Sequence, residues 1–459
     1  MDLKIDSEER FELPEEDGLL RLVRLERDGK DWIRLPNGEA LEVLGRERKF
    51  VLEPDCPGVF LQLGEALKPE AWRVGASLEP GDLDCVRSLR SGLARDALLM
   101  VSGGVGDPAD ALALREAGAD VILVEAGMVF KGPGLVKRCN EALGSASVNP
   151  EDAEVRSVFN RAWLWATGLG LAMWIGGMAT FALAVSRVLL PYDEHFLGLG
   201  WRELRDGNSL LFHFMAHDRG TLAGVMLGLG WLYLALGREG IRRSEHGAKT
   251  AVVASALIGF ASFFSFFGFG YFDTLHAFVA AILFQVAVQV MVGVEGGGER
   301  LARPVEVEGP AWRLGQWGQL AWIVHALGLL VAGGVILVIG MGAVFVSEDL
   351  QYLCLSKEEA MGLGERLVSV VAHDRATLGG MLLASGVASL LGQLWLFRKH
   401  ARWLWWGMFG FGLPAYLAAI GVHFGVGYVD LLHLAPAFAG MGLWLLGLLM
   451  SRGYLFGRD

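Results

Sequence analysis

The stretches FMAHDRGTLAG (214–224) and VVAHDRATLGG (370–380) are nearly identical, and each runs into a long apolar segment. Both place a His, an Asp and an Arg next to one another. Ionisable side chains within a membrane are costly, and they are found where they pair with one another or serve a function. The two triplets therefore predict an internal repeat with a polar site in each copy.

A second pair of stretches extends the repeat. FGFGYFDTLH (267–276) matches FGVGYVDLLH (424–433), so that Asp273 and His276 correspond to Asp430 and His433. Upstream of the triplets, Asp193 corresponds to Asp349 at the same spacing. The repeating unit is thus predicted to contain four helices and to occur twice.

The composition favours a membrane protein. Of the 459 residues, 53% are hydrophobic, with 25 Phe and 15 Trp, which is too apolar for a soluble chain of this size. A helix of about 20 apolar residues crosses a bilayer. Eight segments meet this length, and they lie near 163–190, 216–236, 250–270, 274–294, 318–346, 372–397, 403–424 and 431–450. We expect the lipid bilayer to be the environment of these helices.

The loops between these segments predict the orientation. GREGIRRSEHGAK (237–249) and FRKHAR (397–402) are basic and lie on one side of the predicted bundle, and basic loops stay inside. The first residues, MDLKIDSEERFELPEEDG, show no secretion signal. We therefore expect a multi-pass protein of a bacterial-type inner (plasma) membrane with both termini cytoplasmic. Residues 1–155 contain 31 acidic and 19 basic residues, and this acidic balance argues against a nucleic-acid partner.

The repeated polar residues supply the candidate site. Asp and His three residues apart lie on one helix face, a spacing used for metal ligation in helix bundles. The candidate metal ligands are His217, Asp273, His276, His373, Asp430 and His433. The remaining repeated charges form a polar membrane cluster of Asp218, Arg219, Asp374, Arg375, Asp193 and Asp349.

Two further histidines break the repeat. His213 and His423 are additional candidate ligands, but the corresponding residues of the other repeat are Ser369 and Phe266. This asymmetry indicates that one unit has specialised.

Three interpretations of the polar residues stay open. In the first, Arg219 pairs with Asp273 and Arg375 pairs with Asp430, and the histidines bind nearby carbonyl groups. In the second, each repeat holds a metal ion or haem, through His217, Asp273 and His276 in one and His373, Asp430 and His433 in the other. In the third, the residues form a proton or ligand path such as a quinone pocket.

The first third of the chain lacks long apolar segments and has a different pattern. Residues 98–142 read LLMVSGGVGDPADALALREAGADVILVEAGMVFKGPGLVKRCNEA, in which two apolar runs alternate with helix-like stretches. Asp107 is a predicted helix cap, followed by Pro108 at the first helical position. This order predicts a parallel α/β unit. Upstream, DWIRLPNGEALEVL alternates around Asn37-Gly38 and predicts a β-hairpin.

The same stretch resembles the C-terminal end of the dihydroorotate dehydrogenase family, which are FMN-dependent (β/α)₈ barrels. Ser102-Gly103-Gly104 is similar to the family's glycine turn after the seventh strand, and Glu125-Ala126-Gly127 stands at the turn after the eighth. Lys131-Gly132-Pro133 matches the close of the signature. The resemblance implies that an FMN phosphate binds at Gly103, Gly104, Ala126 and Gly127. The family's substrate and catalytic-base motifs have no counterpart here, so the resemblance assigns no catalytic residue.

Together these patterns predict a multi-domain protein, with a small α/β, partly barrel-like cytoplasmic domain and an all-α polytopic membrane domain of eight helices in two four-helix repeats. The predicted parts are a β-rich lead (1–50), the α/β domain (51–145), a linker (146–160), membrane repeat 1 (161–296), a cytoplasmic linker (297–317), membrane repeat 2 (318–451) and a cytoplasmic tail (452–459).

The predicted function is a membrane-bound oxidoreductase in which an FMN-binding segment is coupled to the duplicated His/Asp/Arg site, with a quinone or another membrane protein as partner. The alternative is a non-enzymatic transporter, sensor or complex subunit whose N-terminal part is a docking domain. Whether the chain is an enzyme stays open at this point.

Overall fold

The computed structural model divides the chain into two compact units, Met1–Glu154 and Val155–Asp459, and each is described by itself. In the second unit the described residues are 160–245, 247–263, 270–296 and 309–457. In the first unit they are the strands and helices given below, residues 105–124 and a few positions between 135 and 143. The glycine-turn positions Gly104, Ala126 and Gly127 lie outside the described residues.

The first unit contains two small sheets. Strands β1 (Val23–Arg27) and β2 (Lys30–Arg34) pair antiparallel as a hairpin. A second sheet has five strands in chain order: β3 (Phe50–Leu52), β4 (Val59–Gln62), β5 (Arg73–Leu78), β6 (Leu98–Gly103) and β7 (Val121–Leu123). The pairs β3–β4 and β4–β5 are antiparallel, whereas β5–β6 and β6–β7 are parallel. This sheet is therefore mixed and open.

Two helices accompany this sheet, α1 (Leu83–Gly92) and α2 (Pro108–Glu116). The carboxylate of Asp107 accepts a hydrogen bond from the Ala109 amide at 3.1 Å and caps α2, as the sequence predicts. Buried apolar side chains, among them Val86 and Val101, form a small core between these elements.

The second unit is helical. Four helices belong to the first repeat's membrane part: α3 (Ala162–Ser186), α6 (Ser209–Ala235), α7 (Ala248–Phe263) and α8 (Thr274–Val292). Their counterparts are α9 (Pro310–Met341), α12 (Glu365–Leu396), α13 (Arg402–Val426) and α14 (Leu431–Leu455). Short helices lie before α6 and α12, namely α4 (Pro191–Leu197), α5 (Trp201–Gly207), α10 (Ser347–Leu353) and α11 (Lys357–Met361).

Seven helices of the described residues are long and apolar enough to cross a membrane, which makes the chain a multi-pass membrane protein. The predicted span near 250–270 corresponds to α7, which is apolar but shorter, and residues 264–269 after it lie outside the described residues. Many large apolar side chains on the outer faces of the long helices are exposed, as a lipid environment requires.

The predicted fold class is wrong. The part of the chain that the structure describes is dominated by long helices, of which seven and not eight meet the length of a membrane span. Its strands form small open sheets, and no closed barrel is present among the described residues. The glycine turns and apolar runs are local signals, and they do not determine how many strands a sheet contains. The chain is an all-helical membrane protein in its larger part and not an α/β protein.

The two repeats exchange contacts at their centre. Within each repeat the first helix packs on the second, as α3 on α6 and α9 on α12. The third helix, however, packs on the second helix of the other repeat, so that α13 lies against α6 and α7 lies against α12. Helices α6 and α12 are accordingly the most buried, with 67% and 56% of their apolar windows inside the protein against 28% or less for the other spans.

Small residues permit this close approach. On α6 the glycines Gly220, Gly224 and Gly228 face α13, and a Cβ atom added at Gly228 would meet the carbonyl oxygen of Phe411. Backbone cannot retreat as a flexible side chain can, so this position requires glycine. By contrast, a Cβ atom at Gly328 of α9 would meet nothing within 4 Å.

We expect Gly228→Ala to lower the free energy of unfolding by about 1–3 kcal/mol, because the added methyl group overpacks the α6–α13 contact. Gly328→Ala is the matched control and should leave stability unchanged or slightly raised. Thermal unfolding of both variants in detergent checks this, and equal midpoints would contradict the packing of α13 on α6.

Candidate metal centres between the two repeats

Arg219 is the centre of a buried network, here called the Arg219 network. Its Nε donates to Asp374 Oδ2 at 2.8 Å, and its Nη1 lies 3.0 Å from Asp193 Oδ2. Nη1 also donates to the carbonyl oxygen of Val188, and the Tyr271 hydroxyl donates to Asp193. The guanidinium therefore joins a carboxylate of its own repeat to one of the other repeat.

Arg375 is the centre of the equivalent Arg375 network. Its Nε lies 3.3 Å from Asp218 Oδ2, and its Nη1 lies 2.7 Å from Asp349 Oδ2. Nη1 donates to the carbonyl oxygen of Val344 at 2.6 Å, and the Tyr428 hydroxyl donates to Asp349 at 2.9 Å. The same residue types thus occupy the same roles in both repeats.

Both networks are removed from solvent and both carry excess negative charge. None of the six ionisable residues is more than 6% exposed. With the carboxylates ionised, each network holds two negative charges and one positive charge. An uncompensated buried charge is expensive, so each network calls for one further positive charge close by. The six residues are Asp193, Asp218, Arg219, Asp349, Asp374 and Arg375.

The local backbone positions these groups in the same way twice. Val188 and Val344 have φ of 60° and 61°, an unusual left-handed conformation for a β-branched residue. Each lies just after a membrane helix and presents its carbonyl oxygen to the arginine. The next short helix then places Asp193 or Asp349 in its first turn, where Oδ2 accepts the amide of Leu190 at 2.9 Å or of Val346 at 2.7 Å.

Three imidazoles form the first cluster, called the His217 cluster: His217, His423 and His433. Their ligand atoms lie within 4.8 Å of one another. His217 Nδ1 lies 3.0 Å from Asp218 Oδ1, His423 Nδ1 contacts the carbonyl oxygen of Ala419, and His433 Nδ1 lies 3.4 Å from the Tyr428 hydroxyl. Each Nδ1 thus has a partner, which leaves Nε2 as the remaining nitrogen of each ring.

The second cluster, called the His373 cluster, consists of His373, His276 and Asp273, again with ligand atoms within 4.8 Å of one another. His373 Nδ1 lies 3.2 Å from Asp374 Oδ1, and its Nε2 lies 3.1 Å from His276 Nδ1. Asp273 caps α8, since its Oδ1 accepts the His276 amide at 2.7 Å. The Tyr192 hydroxyl donates to the same oxygen at 2.8 Å.

The structure groups the predicted residues differently from the hypothesis of one site within each repeat. His217 does not lie with Asp273 and His276, but with two histidines of the other repeat, because α13 packs on α6 and α14 packs on α13. The additional candidate His423 belongs to this cluster, whereas His213 belongs to neither cluster that the described residues contain.

Asp430 is also placed differently. Its Oδ1 accepts the His433 amide at 2.7 Å and caps α14, but its carboxylate is not among the clustered ligand atoms. The predicted pairs Arg219–Asp273 and Arg375–Asp430 are wrong, because both of these aspartates cap helices and the arginines have other partners. Each arginine instead pairs with the short-helix Asp of its own repeat and with the triplet Asp of the other.

Two tyrosines of the site were not among the predicted site residues. Burial, and next the neighbouring carboxylate of Asp193, raise the pKa of Tyr271 far above its usual range. Burial and Asp349 do the same to the pKa of Tyr428. Both phenols therefore keep their protons and act as donors to the carboxylates. Their signal in the sequence is the repeated Gly-Tyr-x-Asp motif.

Comparison with known proteins concerns only part of the chain. No family model matches it, and no solved structure matches it. The dihydroorotate dehydrogenase (quinone) of Flavobacterium lutescens is 28% identical over 154 residues, and that of Stenotrophomonas maltophilia (strain K279a) is 29% identical over 155 residues. Each match covers 29% of this chain and 44% of the relative, so the chain spans less than half the length of these curated relatives. The chain therefore contains a segment similar to dihydroorotate dehydrogenase (quinone).

We expect Arg375→Met to lower the free energy of unfolding by about 3–5 kcal/mol, because it leaves Asp218 and Asp349 buried with no guanidinium between them. Arg205→Met is the control, since the Arg205 side chain is 48% exposed and its pair with Asp206 is worth under about 1 kcal/mol. Urea unfolding in detergent measures both. Equal stability of the two variants would show that the network does not hold the repeats together.

Proposed function

We propose that this chain is a membrane-bound oxidoreductase that holds a transition-metal ion in each of its two clusters and that its dihydroorotate dehydrogenase-like segment binds FMN. The observation that carries the metal part is the His217 cluster. There, the ligand atoms of three buried or partly buried imidazoles lie within 4.8 Å of one another, and each ring has its Nδ1 in contact with another group.

The tautomers of this cluster favour a cation at its centre. A neutral imidazole donates with one nitrogen and accepts with the other. Since Asp218 and the Ala419 carbonyl oxygen can only accept, the Nδ1 atoms of His217 and His423 are donors, and their Nε2 atoms carry lone pairs. These two Nε2 atoms lie 2.9 Å apart. Two lone pairs at this distance repel each other unless a proton or a metal ion lies between them.

The hydrogen bonds around both clusters resemble those that surround the ligands of a metal site. Histidine ligands of metals usually donate their other N–H to a carboxylate or a carbonyl, which fixes the ring and makes the ligand more basic. Asp218 does this for His217, and Asp374 does it for His373. Neighbouring ligands of a tetrahedral ion with bonds of about 2.0–2.1 Å lie about 3.3 Å apart. The 2.9 Å and 3.1 Å contacts of the clusters are close to this separation.

Charge also favours bound cations. Each arginine network has one negative charge in excess, and each touches one cluster through a His–Asp contact. A metal ion in the cluster supplies the missing positive charge within the same buried region. An imidazolium would supply it too, but a single proton would not use all three nitrogens of the His217 cluster.

The flavin part rests on the N-terminal segment. The relatives are named dihydroorotate dehydrogenase (quinone). The sequence resemblance marks Gly103, Gly104, Ala126 and Gly127 as the phosphate-binding turns. Strands β6 and β7 are parallel neighbours, and β6 ends at Gly103. Turns that follow such strands lie at one sheet edge, where backbone N–H groups can hold a phosphate. FMN, when bound, would supply electron transfer.

Quinone is the partner that the name of these relatives suggests. A quinone is an electron acceptor that lies in the membrane, where the long apolar helices of this chain also lie. We further propose an inner-membrane location with both termini cytoplasmic, on the basis of the basic loops at 237–249 and 397–402.

A transporter is the second candidate, and one observation favours it. Both clusters lie between the two repeats, where duplicated transporters bind their substrates. Vesicles containing the protein separate the two functions. Metal flux across the vesicle membrane that is lost in His217→Ala supports the transporter, whereas metal that stays bound without flux supports the oxidoreductase.

We expect the detergent-purified protein to bind two metal ions per chain and Asp218→Asn to weaken binding at the His217 cluster about 10–100-fold, because the imidazole loses its charged partner. The control Asp206→Asn changes an exposed carboxylate and should bind as the parent does. Competition with a chromophoric chelator measures both. Failure of the parent protein to bind any metal would refute the metal function.

We expect the purified full chain to show flavin absorption, with FMN released on denaturation. The matched control is the same measurement on His217→Ala, in which the flavin should be unchanged because the substitution lies in the membrane unit. A colourless protein would remove FMN from the proposal and leave the metal clusters to be tested separately.

A further inference from the structure

The two clusters are not equivalent, although they come from a duplication. The His217 cluster contains His423, and the corresponding residue of the first repeat is Phe266. The His373 cluster contains Asp273, whereas the corresponding Asp430 is not among the clustered ligand atoms. One cluster thus offers three imidazoles, and the other offers two imidazoles and a carboxylate.

The two capping carboxylates also differ in one hydrogen-bond partner. The Tyr192 hydroxyl donates to Asp273 Oδ1. The residue at the corresponding position of the second repeat is Glu348, which has no phenol hydroxyl. Both bonds of Asp273 end on Oδ1, so Oδ2 can serve as a ligand.

The ligand atoms of the two clusters suit different, overlapping sets of ions. Three imidazoles suit copper, zinc, iron or nickel, and they bring no charge of their own. Two histidines and one carboxylate form the ligand set of non-haem Fe(II) sites, in which further positions stay open. The two clusters therefore differ in ligand type as well as in charge.

The buried charges around each cluster indicate the charge of the ion that it would bind. Around the His217 cluster, Asp218 and Asp349 face Arg375, which leaves one negative charge. Asp430 is not counted with this half, because its carboxylate is not among the ligand atoms of the cluster. A monovalent cation therefore makes this half neutral.

The other half carries one more negative charge. Asp193 and Asp374 face Arg219, which again leaves one negative charge. The carboxylate of Asp273 lies within the ligand cluster itself and adds a second. A divalent cation makes this half neutral, and an uncompensated charge in either half would be costly at this burial.

We propose that the His217 cluster is a Cu(I) site and that the His373 cluster is a site for a divalent first-row ion of the Fe(II) type. This inference rests on the proposed function, since it assigns an ion to each of the proposed metal sites. It requires no metal at Asp430, and it makes His423 and Asp273 the residues that determine selectivity.

The test uses the full-length protein in detergent, stripped of metal and titrated under anaerobic conditions with Cu(I) and, separately, with Fe(II). Chromophoric chelators report the number of equivalents bound, and X-ray absorption at each metal edge reports the ligands. We expect one tight equivalent of each ion, with three nitrogen ligands around copper and a mixed nitrogen and oxygen shell around iron.

Two variants assign the ions to the clusters. His423→Phe copies the residue of the first repeat and should abolish the Cu(I) equivalent while Fe(II) binding persists. Asp273→Asn keeps an oxygen to cap α8 but removes the charge, and it should abolish the Fe(II) equivalent while Cu(I) binding persists. His213→Ser copies the other repeat at a histidine outside both clusters and should bind both ions as the parent does.

The outcomes separate this inference from the proposed function. Two tight equivalents of the same ion, with no preference between the clusters, would overturn the inference and leave a two-metal protein. Loss of both ions in either variant while His213→Ser keeps them would also overturn it, because the clusters would then be one site. Absence of any tight metal in the parent would overturn the inference and the metal function together.

Discussion

Arg219 and Arg375 each pair with one carboxylate of each repeat, and these ion pairs determine how the repeats meet. Arg219 reaches Asp374, and Arg375 reaches Asp218, so each triplet neutralises the carboxylate of the other. Either repeat alone would leave its triplet Asp buried without this partner, which is among the most costly arrangements in a protein interior. The exchange of α7 and α13 between the repeats follows, because it brings α6 and α12 side by side.

Much of the candidate site could be predicted from the sequence, but its grouping could not. The repeated triplet marked His217, Asp218 and Arg219 with their counterparts, and the structure buries all of them. A repeat, however, shows only which residues are equivalent. It does not show whether a helix packs on its own unit or on the other, since both arrangements give the same pattern of apolar residues. The pairing of Arg219 with Asp374 is decided by that choice.

The limits of local signals are also visible in the fold. The length and composition of the helices predicted a polytopic protein, since the cost of burying backbone polar groups in lipid admits few alternatives. The glycine turns at 102–104 and 125–127 indicated a partly barrel-like α/β domain, but a turn depends on a few residues and a barrel-like sheet depends on the pairing of many strands. The strands that the structure describes pair in an open order, which no local motif specifies.

Divergence of the second repeat extends beyond its clusters. Within the described part of the chain, its buried side chains with polar atoms that have no hydrogen-bond partner include His325, Ser385, Gln393 and Ser451. The first repeat has apolar residues or glycine at the corresponding positions, namely Leu169, Leu229, Gly237 and Val294.

An unsatisfied buried polar group costs about 1–3 kcal/mol, so stability alone would have favoured the residues of the first repeat. Internal water commonly satisfies such groups. The same repeat that contributes His423 to a cluster thus also has unpaired polar atoms deep in its core. Duplication supplied two equal frameworks held together by the crossed arginines, and because those arginines fix the interface, the residues around each cluster were free to diverge.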